Sequence, residues 1–273
     1  MRIFTSVLVT SLVLASPLLA ESGAMVKRYY DALKMNDVFE ILRDEGIQAG
    51  LDIAADEEGI SASPAWTARV RSIYAVDKMD AAFRHALTAS ADLAASEDAL
   101  AFFESTFGQR VVQIELDARR ALSDEAVEDA AREQATSMQE EDPARLRLYS
   151  AFIEANDLID SNVMGALNSN LAFYQGLGTN PLFGGMDERS MLAQVYEQEP
   201  DIREEMEEWS LNFSVLAYGV LSEDEMQTYI DVSETKAGQV LNAALFAGFD
   251  SVFELQSFEL GRAMAEFMVG DDT

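Results

Sequence analysis

A chain of 273 residues with 49 acidic and 19 basic side chains carries a formal charge of −30, and it holds one histidine and no cysteine. A field of that sign repels nucleic acid, anionic lipid and phosphate-rich partners, and it favours cations only weakly. The missing cysteines exclude disulfides, and one histidine without cysteine cannot fill a three-ligand zinc site.

In chain order, the first feature is an export signal over residues 1–20. Met1-Arg2 supplies the positive start, Ile3 to Leu14 the apolar run, and Ser16-Pro17-Leu18-Leu19-Ala20 the cleavage region, with Ala24 as an alternative end. The run is too short for a comfortable membrane span, and no second apolar stretch of that length follows; the alternative is a retained N-terminal anchor. The mature protein is therefore expected in the periplasm or secreted, without a transmembrane anchor. Cleavage after Ala20 removes one arginine and leaves 18 basic against 49 acidic residues, a charge of −31.

Helical periodicity dominates the remainder, with few alternating β-branched runs. The spacing predicts helices over 25–35, 37–54, 64–76, 78–93, 96–122 and 124–140, then 143–155, 157–175, 187–198, 200–219, 222–235 and 237–268. Pro64, Pro143 and Pro200 stand where a first turn tolerates proline. Asp77, Ser96, Ser123, Asp157 and Ser222 are expected N-caps, and Glu225 completes a capping box with Ser222. Gly108 and Gly238 fall inside two of the long patterns and are expected to break them. The fold class is all-α.

The chain also repeats itself. Asn36-Asp37-Val38 is echoed by Asn156-Asp157-Leu158, Ile73-Tyr74 by Val195-Tyr196, Ser96-Glu97-Asp98 by Ser222-Glu223-Asp224, and Gly108-Gln109 by Gly238-Gln239. The separations are 120, 122, 126 and 130 residues. A slowly growing offset is the mark of one unit copied and then modified by small insertions. The expected organisation is a first helical repeat over 25–140 and a second over 143–270, packed together. The loops 56–63 and 176–185 occupy equivalent places in the two copies.

Each copy carries an aromatic, a serine, a glycine and a glutamine in sequence: Phe103, Ser105, Gly108 and Gln109, then Tyr229, Ser233, Gly238 and Gln239. This pattern resembles the bacterial domain-of-unknown-function 2059 family, whose motif is F-Y-x-S-P-x-G-Q. Thr106 stands where the family often has proline, and the second copy widens the gap before Ser233. The resemblance covers about thirty residues per copy and implies an exported helical domain without an established activity. In physical terms the motif reads as packing, with the aromatic as an anchor, the glycine as a point of close approach and the glutamine satisfying a backbone group.

Catalytic vocabulary is sparse. His85 sits alone on a helix, and no nucleophile-elbow sequence occurs. The Gly-rich 176–185 loop lacks the lysine and flanking strand of a phosphate cradle. Asp52, Asp56, Glu57 and Glu58 miss the spacing of a calcium loop, and Glu204, Glu205, Glu207 and Glu208 fall on two faces of one helix. No catalytic, cofactor or metal residue is assigned, and no cofactor is expected. The last helix is the most apolar and is expected at the centre of the core, while Tyr29, Tyr30, Trp66 and Trp209 are expected core anchors. The function expected is a non-catalytic envelope module that binds a protein or an apolar ligand in a groove between the repeats. The alternative is an envelope hydrolase acting through paired Asp/Glu, which needs two carboxylates facing one cleft with one of them desolvated. A third, acidic buffering of cations, follows from charge alone.

Overall fold

The computed structural model describes residues 17–56, 63–89, 93–181 and 187–270. Among them every regular element is a helix and no strand occurs, so the fold is all-α. The helices are α1 (Pro17–Ala32), α2 (Met35–Asp56), α3 (Pro64–Ile73), α4 (Val76–Ala89), α5 (Glu97–Glu104), α6 (Thr106–Ala121) and α7 (Glu125–Glu141). They continue with α8 (Pro143–Ala155), α9 (Leu158–Leu177), α10 (Glu188–Tyr196), α11 (Glu199–Tyr218), α12 (Glu223–Glu234) and α13 (Lys236–Gly270). A short 3-10 turn, Leu93–Ser96, leads into α5. Residues 1–16 of the expected leader lie outside the described residues, as do 57–62 and 182–186 of the two expected loops. None of the described helices is long and apolar enough to cross a membrane.

Local chemistry accounts for most helix ends. Ser63, Asp142 and Asp187 each accept a backbone N–H three residues on, opening α3, α8 and α10. Ser222 and Glu225 form the reciprocal capping box of α12. Elsewhere the expected caps shift. Asp124, not Ser123, caps α7, because its carboxylate reaches Ala126 N while the Ser123 hydroxyl turns back to Arg120 O. Asp157 adopts a left-handed conformation, φ 49°, and Lys34 does the same at φ 50°. Both residues immediately precede a helix, α9 and α2, so the geometric partner of Asp157 is Lys34, three residues before the Asp37 of the sequence echo.

The predicted helix over 96–122 does break, but three residues ahead of Gly108. Ser105 is extended (φ −71°, ψ 163°), and its hydroxyl accepts from Gly108 N at 3.0 Å. Thr235 does the same in the other part of the chain, with φ −63°, ψ 156° and a 2.9 Å bond from Gly238 N. A Cβ on Gly108 would lie 2.1 Å from Phe102 O, and one on Gly238 2.2 Å from Val232 O. Glycine is thus required for the elbow with the preceding helix of the same chain, not for the approach of a distant one. Helix α12 has 12 residues against 8 in α5, about one turn more.

The 35 residues of α13 span about 52 Å. This helix lies along α9 and also contacts α3, α4, α5 and α12, which makes it the axis of the molecule. Helices α9 and α13 run parallel in constant register. Asn242 Nδ2 donates to Asn156 O at 2.7 Å, Gly165 faces Asp250, Gly176 faces the Phe258–Arg262 turn, and Asn180 Nδ2 donates to Ala265 O at 3.2 Å. The backbones touch near the end of α9. A Cβ on Gly176 would sit 2.1 Å from Phe258 O, and one on Gly261 2.2 Å from Phe173 O. Neither partner atom is a flexible tip, so any side chain must push the helices apart.

Tyr29, Tyr30, Trp66, Phe39 and Phe83 are buried, as is the α13 row Leu241, Ala244, Val252 and Ala263. Trp209 departs from its expected place, because it is half-buried in the wall of a pocket.

Gly261→Ala is expected to destabilise the fold by about 1–3 kcal/mol, because its methyl would meet backbone. Gly178→Ala, whose Cβ would meet first the tip of Met191 at 3.2 Å, is expected to change stability much less. Chemical denaturation of the two variants decides, and equal midpoints would contradict the close α9–α13 contact.

Candidate functional site

The site begins with one acid on the wrong face of a helix. Val111, Val112, Leu116 and Ala118 of α6 are buried, and Glu115 follows Val111 and Val112 by one turn. It is therefore carried inward with them. There its Oε1 accepts from Tyr218 Oη at 2.8 Å and from Tyr229 Oη at 2.9 Å. The two tyrosines come from α11 and α12, so the contact joins the N-terminal helices to the C-terminal ones.

Aromatic rings surround this contact. Phe152 lies 5.0 Å from Tyr218 and 4.8 Å from Tyr229, the two tyrosines are 6.0 Å apart, and Phe102 stacks on Tyr229 at 5.7 Å between centroids. Burial pushes the Glu115 carboxyl up to about 7 from its ordinary 4.5, against the opposing pull of the two donated hydrogen bonds. Burial, reinforced by the nearby Glu115 charge, pushes both tyrosines well above their usual range. They stay protonated and keep donating. Glu115 Oε2 meets no hydrogen-bond partner among the described residues and is not sealed off from solvent.

Glu115 stands in the wall of a cavity of about 740 Å³. Helices α2 and α6 form one side of it, and α9, α11 and α13 the other. The lining is mostly apolar: Val38, Leu42 and Leu116 face Trp209, Phe213, Phe249 and Phe253. Trp209 and Phe213 stack at 5.3 Å, and Phe249 and Phe253 at 6.1 Å, so flat ring surfaces line two of the helices. The volume suits a drug-sized or lipid-like molecule.

Few polar groups interrupt this wall. Arg119 grips Glu45 with two bonds, Nε–Oε1 at 2.9 Å and Nη2–Oε2 at 2.8 Å, and lies 5.3 Å from the Trp209 ring. Asn170 donates to Gln198 Oε1 at 2.8 Å. Asp250 has no hydrogen bond or ion pair among the described residues, and burial, then the neighbouring Glu254 charge, raises its carboxyl. Gln256 is only 6% exposed, and its Nε2 has no partner among the described residues.

The sequence-motif residues take up structural places around the site. Phe103 and Tyr229 meet edge-on at 6.2 Å. Gln109 donates to Phe103 O at 2.7 Å and to Ala32 O at 2.6 Å, tying the α5–α6 elbow to the end of α1. Ser233 lies inside α12 and donates to Tyr229 O, while Thr235 fills the place that Ser105 holds before Gly108. Gln239 is exposed. None of the eight lines the cavity, and only Tyr229 reaches it, through Glu115. His85 is exposed on α4. The sequence pattern singled out neither Glu115 nor Asp250, and it placed Trp209 in the core rather than in the cavity wall. Glu115 had a signal, a lone acid between Val111-Val112 and Leu116 on an apolar stripe, but it was one acid among 49.

No protein-family model, curated protein or solved structure matches the chain.

The raised Glu115 carboxyl couples folding to pH. Between pH 4.5 and about 7 the folded protein holds a proton that the unfolded chain has released, so stability falls as pH rises through that window. The expected loss is about 3 kcal/mol, complete above the folded value. Urea unfolding at about pH 4 and about pH 8 should show wild type losing this amount relative to Glu115→Gln. A difference between the two proteins that does not change with pH would contradict it.

Proposed function

We propose that this is an exported, non-catalytic helical binding module, and that the cavity between its two sets of helices takes an apolar ligand in the periplasm or outside the cell. One observation carries the reading: a cavity of about 740 Å³ with a mostly apolar wall and only a few polar groups along it. Solvated apolar walls are costly, and an apolar ligand that displaces the water gains about 0.8 kcal/mol per buried methylene before ordering costs. Export rests on the leader at residues 1–20. The domain-of-unknown-function 2059 resemblance agrees with it.

Descent from a duplication is part of this proposal, with repeats over 25–140 and 143–270. The matching elbows at Ser105 and Thr235 support it, as do the matching left-handed residues Lys34 and Asp157. On that reading the ligand site formed where one copy packs on the other. Glu115 from the first copy and Tyr218 and Tyr229 from the second form the seam.

The hydrolase alternative keeps one supporting observation. Glu115 and Asp250 line the same cavity, and burial raises both carboxyls. Against it, the wall is largely aliphatic and aromatic, and Glu45 is held by Arg119. A sugar would find few partners for its hydroxyls there.

A neutral fluorescent probe, N-phenyl-1-naphthylamine, tests the cavity. Wild type is expected to bind it with a blue shift and one-to-one stoichiometry. Ala166→Trp, which puts an indole into the α9 wall, should lose binding by about tenfold or more while keeping its melting temperature. Equal binding by both proteins, or none by wild type, would overturn the reading.

A further inference from the structure

The cavity has an unbalanced charge. Among the described residues the lining contains one cation, Arg119, and its guanidinium is already gripped by Glu45 at two points. An anionic headgroup would have to break that pair. Two wall carboxylates have no cation partner among the described residues. Glu115 receives only tyrosine hydroxyls, and Asp250 has no partner among the described residues. Asp250 lies against α9 where that helix has no side chain, since a Cβ on Gly165 would come within 2.7 Å of its Oδ1.

We propose that the ligand class is an amphipathic amine, with its apolar body against Trp209, Phe249 and Phe253 and its ammonium taken by the wall carboxylates that lack a cation, Glu115 and Asp250. This deepens the apolar-ligand reading and rests on it. Three physical effects favour this class over a neutral or acidic amphiphile. A carboxylate removed from water is costly without a counter-charge, and an ammonium supplies one together with N–H donors. The ring faces of the wall attract cations through their quadrupoles. The net charge of −30 concentrates cations near the protein and repels fatty acids. Burial, which raises both carboxyls when the cavity holds no cation, is relieved by the same pairing.

Competition against N-phenyl-1-naphthylamine separates this inference from the reading beneath it. The competitors are dodecylamine, dodecanol and dodecanoate, each below its micellar concentration. Dodecylamine is expected to displace the probe from wild type at a concentration about tenfold lower than dodecanol does, with dodecanoate the weakest. Asp250→Asn and Glu115→Gln should each cut the amine-over-alcohol preference, a ratio read within each variant, by about threefold or more. Asp250→Asn makes no change to the tyrosine contacts, so it serves even if Glu115→Gln folds poorly. Probe binding with dodecanol equal to or better than dodecylamine overturns the amine assignment and leaves the apolar cavity standing. Dodecylamine binding that persists in Ala166→Trp means adsorption to the acidic surface and also overturns it. No probe binding by wild type overturns both.

Discussion

A half-buried acid with one oxygen turned among aromatic rings is held by hydrogen-bond donors, and Glu115 finds two, both from helices more than a hundred positions further along the chain. This constraint organises the rest. A carboxylate without partners at that depth would cost several kcal/mol, and the alternative of turning outward is closed because α6 buries Val111, Val112 and Leu116 on the same face. The tyrosines cannot release it without losing a hydrogen bond in the same apolar surroundings. Helix α6 is therefore fixed against α11 and α12 at one point. Arg110 reinforces the seam on its outer side by pairing with Glu225 and donating to Val220 O at 3.0 Å. Being exposed, that outer pair contributes less to stability than to orientation.

The cavity follows from two contacts of opposite kind. At one end of α9 the glycines Gly176 and Gly261 let backbone meet backbone, which locks α9 to α13. On the other side Glu115 holds α6 to α11 and α12. Between these anchors the large rings of Phe249, Phe253, Trp209 and Phe213 prop the helices apart and leave a hollow that they also line. The same residues thus serve packing and the site. That is why α13, apolar on more than one face, is only partly a core helix: Leu241, Val252 and Ala263 fill the interior, while Phe246, Phe249 and Phe253 line the cavity.

Helix positions were legible because they depend on local chemistry. Proline at first turns, capping side chains and the spacing of Phe83, Leu87, Val111 and Val112 act over a few residues. The elbows were half-legible. Gly108 and Gly238 announced them, but the turn itself lies at Ser105 and Thr235, where a hydroxyl can reach the glycine N–H. The site was not legible in the same way. Which of 49 acids is buried depends on the pairing of α6 with α11 and α12, and the role of Trp209 depends on Arg119 arriving from α6. Neither pairing leaves a periodic trace. What could be read was a surplus of apolar residues in 240–260 beyond what one buried face requires, and Phe246, Phe249 and Phe253 of that surplus line the cavity.

The central claim is that Glu115 and its tyrosines are one energetic unit holding the two sets of helices together. A double-mutant cycle on Glu115→Gln and Tyr229→Phe, read by denaturant unfolding at neutral pH, measures it directly. The account predicts a coupling energy of at least about 0.5 kcal/mol, as for residues sharing one buried network. Additivity of the two changes to within about 0.3 kcal/mol would contradict it.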